Sequence, residues 1–196
     1  MIEILTALED SGFSMMVKES STAYVAVLAF HTIGLAFLVG ISGAIAMRIL
    51  GAARSMPLEP MQDFFPLMYT GLLINVVTGV VLFCLYPTNY ATDLAFYIKL
   101  GAIVVAVVSL RKLSALLFES GADADAAAET KRAKVLAITL LVVWLIATTA
   151  GRVTAYTVPT KLATAGAVAV FMTLALVIGY AVGRQMGWIG SSKQSA

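Results

Sequence analysis

Few side chains in the apolar parts of this chain could do chemistry, and the first of them is its only histidine, His31. It stands in the run AFHTIGLAFLVGISGAIAMRIL, residues 29–50, which has no other ionisable side chain before Arg48. A neutral imidazole is a common axial ligand of haem iron and a hydrogen-bonding group. Other candidate residues stand in the later apolar runs, namely Lys99, Thr148, Arg152 and Tyr156.

The apolar runs are long enough to cross a lipid bilayer. The chain is 60% hydrophobic and only 12% charged, whereas soluble domains are about half apolar and a quarter charged. A helix of roughly 20 residues spans the hydrocarbon core. The sequence therefore predicts an all-α integral membrane bundle, one domain over residues 1–196, with five transmembrane helices at about 23–48, 64–86, 94–117, 133–156 and 161–183.

The remaining segments are more polar than the five spans. In residues 1–20 the apolar and acidic side chains alternate at helical spacing, which predicts an amphipathic helix lying in the membrane interface. Residues 118–132 form an acidic, alanine-rich loop that ends in a basic cluster, and residues 184–196 form a tail. Prolines mark the other connections, at Pro57, Pro87 and Pro159.

Basic residues indicate the orientation of the chain, because Lys and Arg favour the cytoplasmic side of a membrane. One side carries Arg48, Arg54, Arg111, Lys112, Lys131, Arg132, Lys134, Arg184 and Lys193. The other side carries only Lys18, Lys99, Arg152 and Lys161. The bias predicts a bacterial inner-membrane protein with a periplasmic N-terminus, a cytoplasmic C-terminus, and a cytoplasmic acidic loop.

Small residues recur at the spacing that lets helices approach closely in lipid. The first span has Ala36, Gly40, Gly43 and Ala44, and the second has Gly71, Asn75 and Gly79. Both stripes are predicted to be packing surfaces. At 100° per residue, His31 lies on the opposite side of the first helix from Gly40, so it is expected to meet a different neighbour.

The candidate residues share a depth in the membrane. Counting the helical rise from Tyr24 places His31 about 10 Å below the outer surface. Thr78, Thr148 and Thr149 reach a similar depth, while Lys99 and Arg152 lie a little above it. Tyr156 lies on the same face of the fourth helix as Arg152. We therefore expect these side chains to converge in the outer half of the bilayer.

Three interpretations of this convergence stay open. In the first, His31 is a metal ligand that holds haem b, with Lys99 and Arg152 at the propionates; the second axial ligand is then Met172, a partner chain or nothing. In the second, the pocket binds a quinone or another amphipathic molecule. In the third, no cofactor is bound, and His31 hydrogen-bonds a threonine or a carbonyl of a neighbouring helix while both cations reach the interface.

Several classes of function lack the residues they need. No Asp or Glu stands inside a predicted span, which disfavours a proton pump or a cation-coupled transporter. A single histidine without a nearby acid forms no catalytic triad, and Cys84 is the only cysteine. The net charge of +2 gives no indication of nucleic-acid binding. No self-contained catalytic site is predicted.

Three stretches carry a resemblance to known families: HTIGLAFLVGISGAIAMRILG, FPLMYTGLLINVVTGVVLFCLYPTNYATDLAFYIKLG and ATTAGRVTAY. Over most of residues 25–156 the chain resembles a family of bacterial inner-membrane proteins of unknown function. It is more remotely similar to the copper-resistance D and cytochrome b561-like membrane proteins, although it has one histidine only. The resemblance implies a helical bundle with an intramembrane histidine, and puts His31, Lys99, Arg152 and Tyr156 at motif positions.

The expected function is that of a small membrane subunit of a periplasm-facing redox or electron-transfer system. It would bind haem b or a quinone through His31, Thr148, Lys99, Arg152 and Tyr156. Its expected partners are the lipid bilayer and either other membrane or periplasmic subunits or further copies of the chain. The alternative is a non-catalytic structural subunit of a larger membrane complex, and a transporter is less favoured.

Overall fold

The computed structural model describes residues 2–119, 121, 123–154 and 156–185, and this part of the chain is helical without a strand. Five helices are long and apolar enough to cross a membrane. These are α3 (Ser21–Ile49), α4 (Phe65–Leu85), α6 (Leu94–Ser114), α8 (Lys131–Val153) and α9 (Val158–Gln185). The shorter helices are α1 (Ile2–Glu9), α2 (Gly12–Glu19), α5 (Pro87–Thr92) and α7 (Ala124–Ala128). The prediction of an all-α, five-span membrane protein is confirmed.

The long helices define two ends of the molecule. The His31 end holds the starts of α3, α6 and α9 and the last residues of α4 and α8. The Arg48 end holds the opposite termini of these helices. Two pairs of helices form the interior, α3 with α4 and α6 with α8. Contacts between α3 and α8 hold the two pairs together. Helix α9 packs against α8, and Gly183 is its only buried residue in the described part.

Residues 2–19 form two helices, α1 and α2, instead of one continuous amphipathic helix. The second begins after Ser11, whose hydroxyl caps α2 by accepting a hydrogen bond from the Ser14 amide, at 3.3 Å. Both helices contact the bundle at the His31 end. The Glu9 carboxylate accepts a hydrogen bond from the Thr88 hydroxyl, and the Lys18 ammonium lies 5.0 Å from the centre of the Tyr86 ring. The N-terminal segment is thus tied to α5.

The acidic segment 118–132 is more than a polar loop. It follows a π-turn at Ala115–Glu119 and includes α7, and its Ala127 and Ala128 are buried against the bundle. Asp125 forms an ion pair with the buried Arg48, whose Nη2 lies 2.7 Å from the Asp125 Oδ1. Arg48 also donates through Nε to the Met56 carbonyl, at 2.5 Å. Helix α7 therefore packs on the Arg48 end of the bundle, because its alanines are small enough to be buried there and Asp125 pairs with Arg48.

The closest helix crossing joins α3 and α4 through Gly34 and Gly71. A Cβ atom added to Gly34 would lie 2.7 Å from the Gly71 carbonyl oxygen and 3.0 Å from the Asn75 amide nitrogen. Gly34 lies three residues after His31, on the same face of α3. Two glycines are needed here because the backbones themselves are in contact.

The stripe predicted as the packing surface of α3 is left largely open. A Cβ atom added to Gly40 would have no neighbour within 4 Å, and at Gly43 only the Leu141 Cδ2 lies at 4.0 Å. Ala36 and Ala44 are exposed as well. The physical reason is that α4 crosses α3 on the His31 face, so it meets Gly34 and not Gly40. On α4, the predicted stripe of Gly71, Asn75 and Gly79 does face α3.

Candidate functional site

His31 makes its polar contacts with α4. Its Nδ1 lies 2.9 Å from the Thr78 Oγ1, and its backbone carbonyl accepts a hydrogen bond from the Asn75 Nδ2, at 3.0 Å. A Cβ atom added to Gly79 would be 3.5 Å from the imidazole Cε1. The ring therefore lies against α4, where Asn75 supplies an amide, Thr78 supplies a hydroxyl, and Gly79 has no side chain in its way.

The Thr78 hydroxyl accepts a hydrogen bond from His31. It lies 2.6 Å from the Ile74 carbonyl oxygen and donates its one proton there, so the His31 Nδ1 is the donor in the contact between the two side chains. The Asn75 Nδ2 lies 3.4 Å from Nδ1 and 3.5 Å from Nε2, at the limit of a hydrogen bond. His31 therefore joins α3 to α4 through both its ring and its backbone carbonyl.

Lys99, on α6, packs against α8. Its methylene groups lie along α8 at Gly151, where an added Cβ atom would be 3.2 Å from the Lys99 Cδ. Lys99 is half-buried. Its ammonium group is therefore held beside the α6–α8 pair.

The other predicted residues do not join His31. The Thr148 hydroxyl donates to the Trp144 carbonyl of its own helix, at 2.8 Å. Arg152 is exposed, and Tyr156 is 57% exposed beside a cavity on another face of α8. Tyr156 therefore belongs to a second place in the fold.

That second place is a cavity of about 850 Å³ between α6, α8 and α9. We call it the α9 groove. At the His31 end its wall carries the polar side chains of Asn89, Thr92, Asp93, Thr149, Tyr156 and Lys161. Deeper in the membrane its wall is apolar, with Ile98, Leu145, Ile146, Leu162, Ala165 and Val168. A cavity of this size, apolar with a few polar groups, is typical of a small-molecule site.

An ion pair stands at the polar mouth of the α9 groove. The Lys161 Nζ lies 2.5 Å from the Asp93 Oδ1, and the Asp93 side chain is buried. Asp93 is positioned by its place as N-cap of α6, where it also accepts from the Ala95 amide at 2.9 Å. Lys161 stands in the first turn of α9. The pair therefore ties α9 to α6 and leaves the mouth electrically neutral.

Sequence reasoning missed Asp93 and Lys161 as residues of one site. They are separated by 68 positions, and each stands at the end of a predicted span, where a charge needs no explanation. A usable signal was present, however. Asp93 is the one acid within seven residues of the start of α6, and an acid at a predicted helix start is the typical N-cap.

Aromatic rings close the His31 end above the bundle. Phe83, Tyr90 and Phe96 stack on one another, with ring centres 5.5–6.4 Å apart. Burial, with the nearby hydroxyls of Tyr24 and Tyr86 as smaller causes, raises the pKa of Tyr90 above its ordinary value. The neutral phenol is therefore the form that this cluster favours.

The surroundings of His31 are formed by α4. The imidazole contacts Thr78, Asn75 and Gly79, and it does not line the α9 groove. Met172, the candidate second axial ligand, lies on α9. In the described ranges no three His, Cys, Asp or Glu side chains come together as a metal site. Haem ligation by His31 stays a prediction.

Comparisons of the chain with family models, with curated proteins and with solved structures find no match.

Proposed function

We propose that the protein binds a quinone in the α9 groove and serves as the membrane subunit of a periplasm-facing redox system. The observation that carries the proposal is a gradient along the groove wall. All of its polar side chains lie at the His31 end, beside apolar ones such as Leu94 and Val158, and the wall below them is apolar. A quinone has the same gradient, with a carbonyl-bearing ring at one end and an isoprenoid tail at the other. When bound, it supplies reversible transfer of electrons and protons.

The polar groups at the mouth suit the head of such a molecule. Lys161 has donor protons beyond the one directed at Asp93, and the hydroxyls of Tyr156 and Thr149 stand on the same wall. Quinone carbonyls accept hydrogen bonds from these groups. The protein's part is to hold the ring at this depth and keep it between α6, α8 and α9.

The ion pair favours an uncharged head over an acidic phospholipid. Because Asp93 neutralises Lys161, the lining side chains of the groove carry no net charge. An anionic head at this position would face the buried Asp93 carboxylate, and like charges at short distance are unfavourable. A neutral head with hydrogen-bond acceptors meets no such repulsion.

Binding of a decyl-tailed benzoquinone to the purified protein tests the proposal. At about 100 times its dissociation constant, the ligand is expected to add about 2.7 kcal/mol of stability. That corresponds to a rise of roughly 5–10 °C in the unfolding midpoint for a chain of this length.

Decylbenzene, which has the tail without the carbonyls, is the control and should give a much smaller rise. Equal rises with both compounds would mean that the groove only takes up apolar tails. No rise with either would overturn the proposal.

We further propose that the His31 end faces the periplasm of a bacterial inner membrane. The charge distribution supports this orientation. Eight described basic residues lie at or beyond the Arg48 end: Arg48, Arg54, Arg111, Lys112, Lys131, Arg132, Lys134 and Arg184. In a Cys84→Ser background, a maleimide that cannot cross membranes should label Asn89→Cys in intact spheroplasts and leave Ser55→Cys unlabelled. The reverse pattern would invert the orientation.

A further inference from the structure

Lys99 is held in place, and no described residue supplies a counter-ion to it. Its methylene stem lies against α8 because Gly151 has no side chain, and an added Cβ atom there would be 3.4 Å from the Lys99 Cε and 3.6 Å from its Nζ. The ammonium group is therefore kept beside the α8 backbone.

Of the other described lysines, Lys112 and Lys131 are exposed, and the remaining three are paired with carboxylates. Lys18 approaches the Glu9 carboxylate at 3.8 Å, Lys134 contacts Glu129 at 2.7 Å, and Lys161 contacts Asp93 at 2.5 Å. Lys99 makes neither an ion pair nor a hydrogen bond with any described residue. A half-buried cation in a membrane protein ordinarily has an anionic partner.

The groups on the α3 side of Lys99 cannot supply that charge. The His31 imidazole carries no negative charge, and the neighbours of its ring are the uncharged Asn75 and Thr78. Each of these groups is held by hydrogen bonds within the α3–α4 pair. The missing partner of Lys99 is therefore to be sought outside the described protein groups.

We propose that Lys99 binds an oxyanion, a phosphate or carboxylate group that enters at the His31 end of the bundle. Lysine binds phosphate as a point charge, and its attraction is strengthened where the surroundings are partly apolar. The oxyanion belongs to a lipid head group or to a solute from the aqueous side. This site is separate from the α9 groove, because Lys99 does not line that cavity.

Thermal unfolding with two sources of oxyanion tests this site. The first probe is inorganic phosphate, added to protein in an uncharged detergent at constant ionic strength with chloride as reference. The second is a nanodisc of phosphatidylglycerol compared with one of phosphatidylcholine. We expect one probe to raise the unfolding midpoint of the natural protein by several degrees, and the same probe to raise it far less in Lys99→Gln.

Stabilisation by phosphate identifies a soluble anion, and stabilisation by phosphatidylglycerol alone identifies a lipid. Lys112→Gln is the matched control, since Lys112 lies exposed at the other end of α6, and it should respond as the natural protein does. If neither probe stabilises the natural protein, or if Lys99→Gln responds fully, the site is refuted.

Two further measurements keep the result interpretable. Lys99→Arg preserves the charge and should retain most of the stabilisation, which a purely structural role of the lysine stem would not predict. Binding of the decyl-tailed benzoquinone should be unchanged in Lys99→Gln. The oxyanion site and the quinone site can therefore fail independently.

Discussion

Replacing Gly34 by alanine is expected to lower the free energy of unfolding by roughly 1–3 kcal/mol, or to prevent folding altogether. The added methyl group would lie 2.7 Å from the Gly71 carbonyl oxygen and 3.1 Å from the Ile74 Cγ2. The first of these is a backbone atom, so α3 and α4 have to move apart. Their separation would also weaken the hydrogen bonds of His31 with Asn75 and Thr78. Unfolding by titration with a denaturing detergent measures the loss.

Gly40→Ala on the same helix is the matched control. Nothing lies within 4 Å of the position of its added Cβ atom. Alanine has a higher helix propensity than glycine, by up to about 1 kcal/mol. This variant should therefore be as stable as the natural protein or slightly more stable. Equal losses in the two variants would show that the Gly34–Gly71 crossing is not the closest contact of the bundle.

Replacing Ala165 by tryptophan is expected to weaken quinone binding at least 100-fold. Ala165 lines the apolar part of the α9 groove, and an indole there occupies the space of the proposed tail. The dissociation constant of the decyl-tailed benzoquinone is the quantity to measure, by the same shift in unfolding midpoint. The fold should tolerate the change, because α9 has little buried surface in the described structure.

Ala167→Trp controls for the size of the new side chain. Ala167 is exposed on α9 and does not line the groove, so this variant should bind the quinone as the natural protein does. Loss of binding in both variants would point to a general disturbance of α9. Full binding in Ala165→Trp would place the quinone elsewhere.

The five spans could be predicted from the sequence because the bilayer imposes a minimum length of apolar helix, and each of the runs meets it. The same reasoning placed His31 and Thr78 at one depth, and they are hydrogen-bonded across α3 and α4. The rise per residue of a helix is enough to predict how deep a side chain lies along the bundle axis. It does not predict the direction in which that side chain points.

The choice of packing face could not be predicted in this way. Gly34 and Gly40 are both glycines of α3, and spacing favoured the stripe of Gly40, yet α4 crosses at Gly34. Which face is used depends on the partner helix and on the polar contacts of His31. The α9 groove could not be predicted from the sequence either. It depends on how α6, α8 and α9 are arranged and on an ion pair between the distant positions Asp93 and Lys161.

Photolabelling with an azido derivative of the decyl-tailed benzoquinone tests the central claim most directly. After illumination and proteolysis, mass spectrometry identifies the labelled peptides. We predict labels within residues 94–98 of α6, 145–153 of α8 and 158–169 of α9, all suppressed by an excess of the unmodified quinone. Labels concentrated around His31 and Thr78 instead, or labels that the unmodified quinone does not suppress, would contradict a quinone site in the α9 groove.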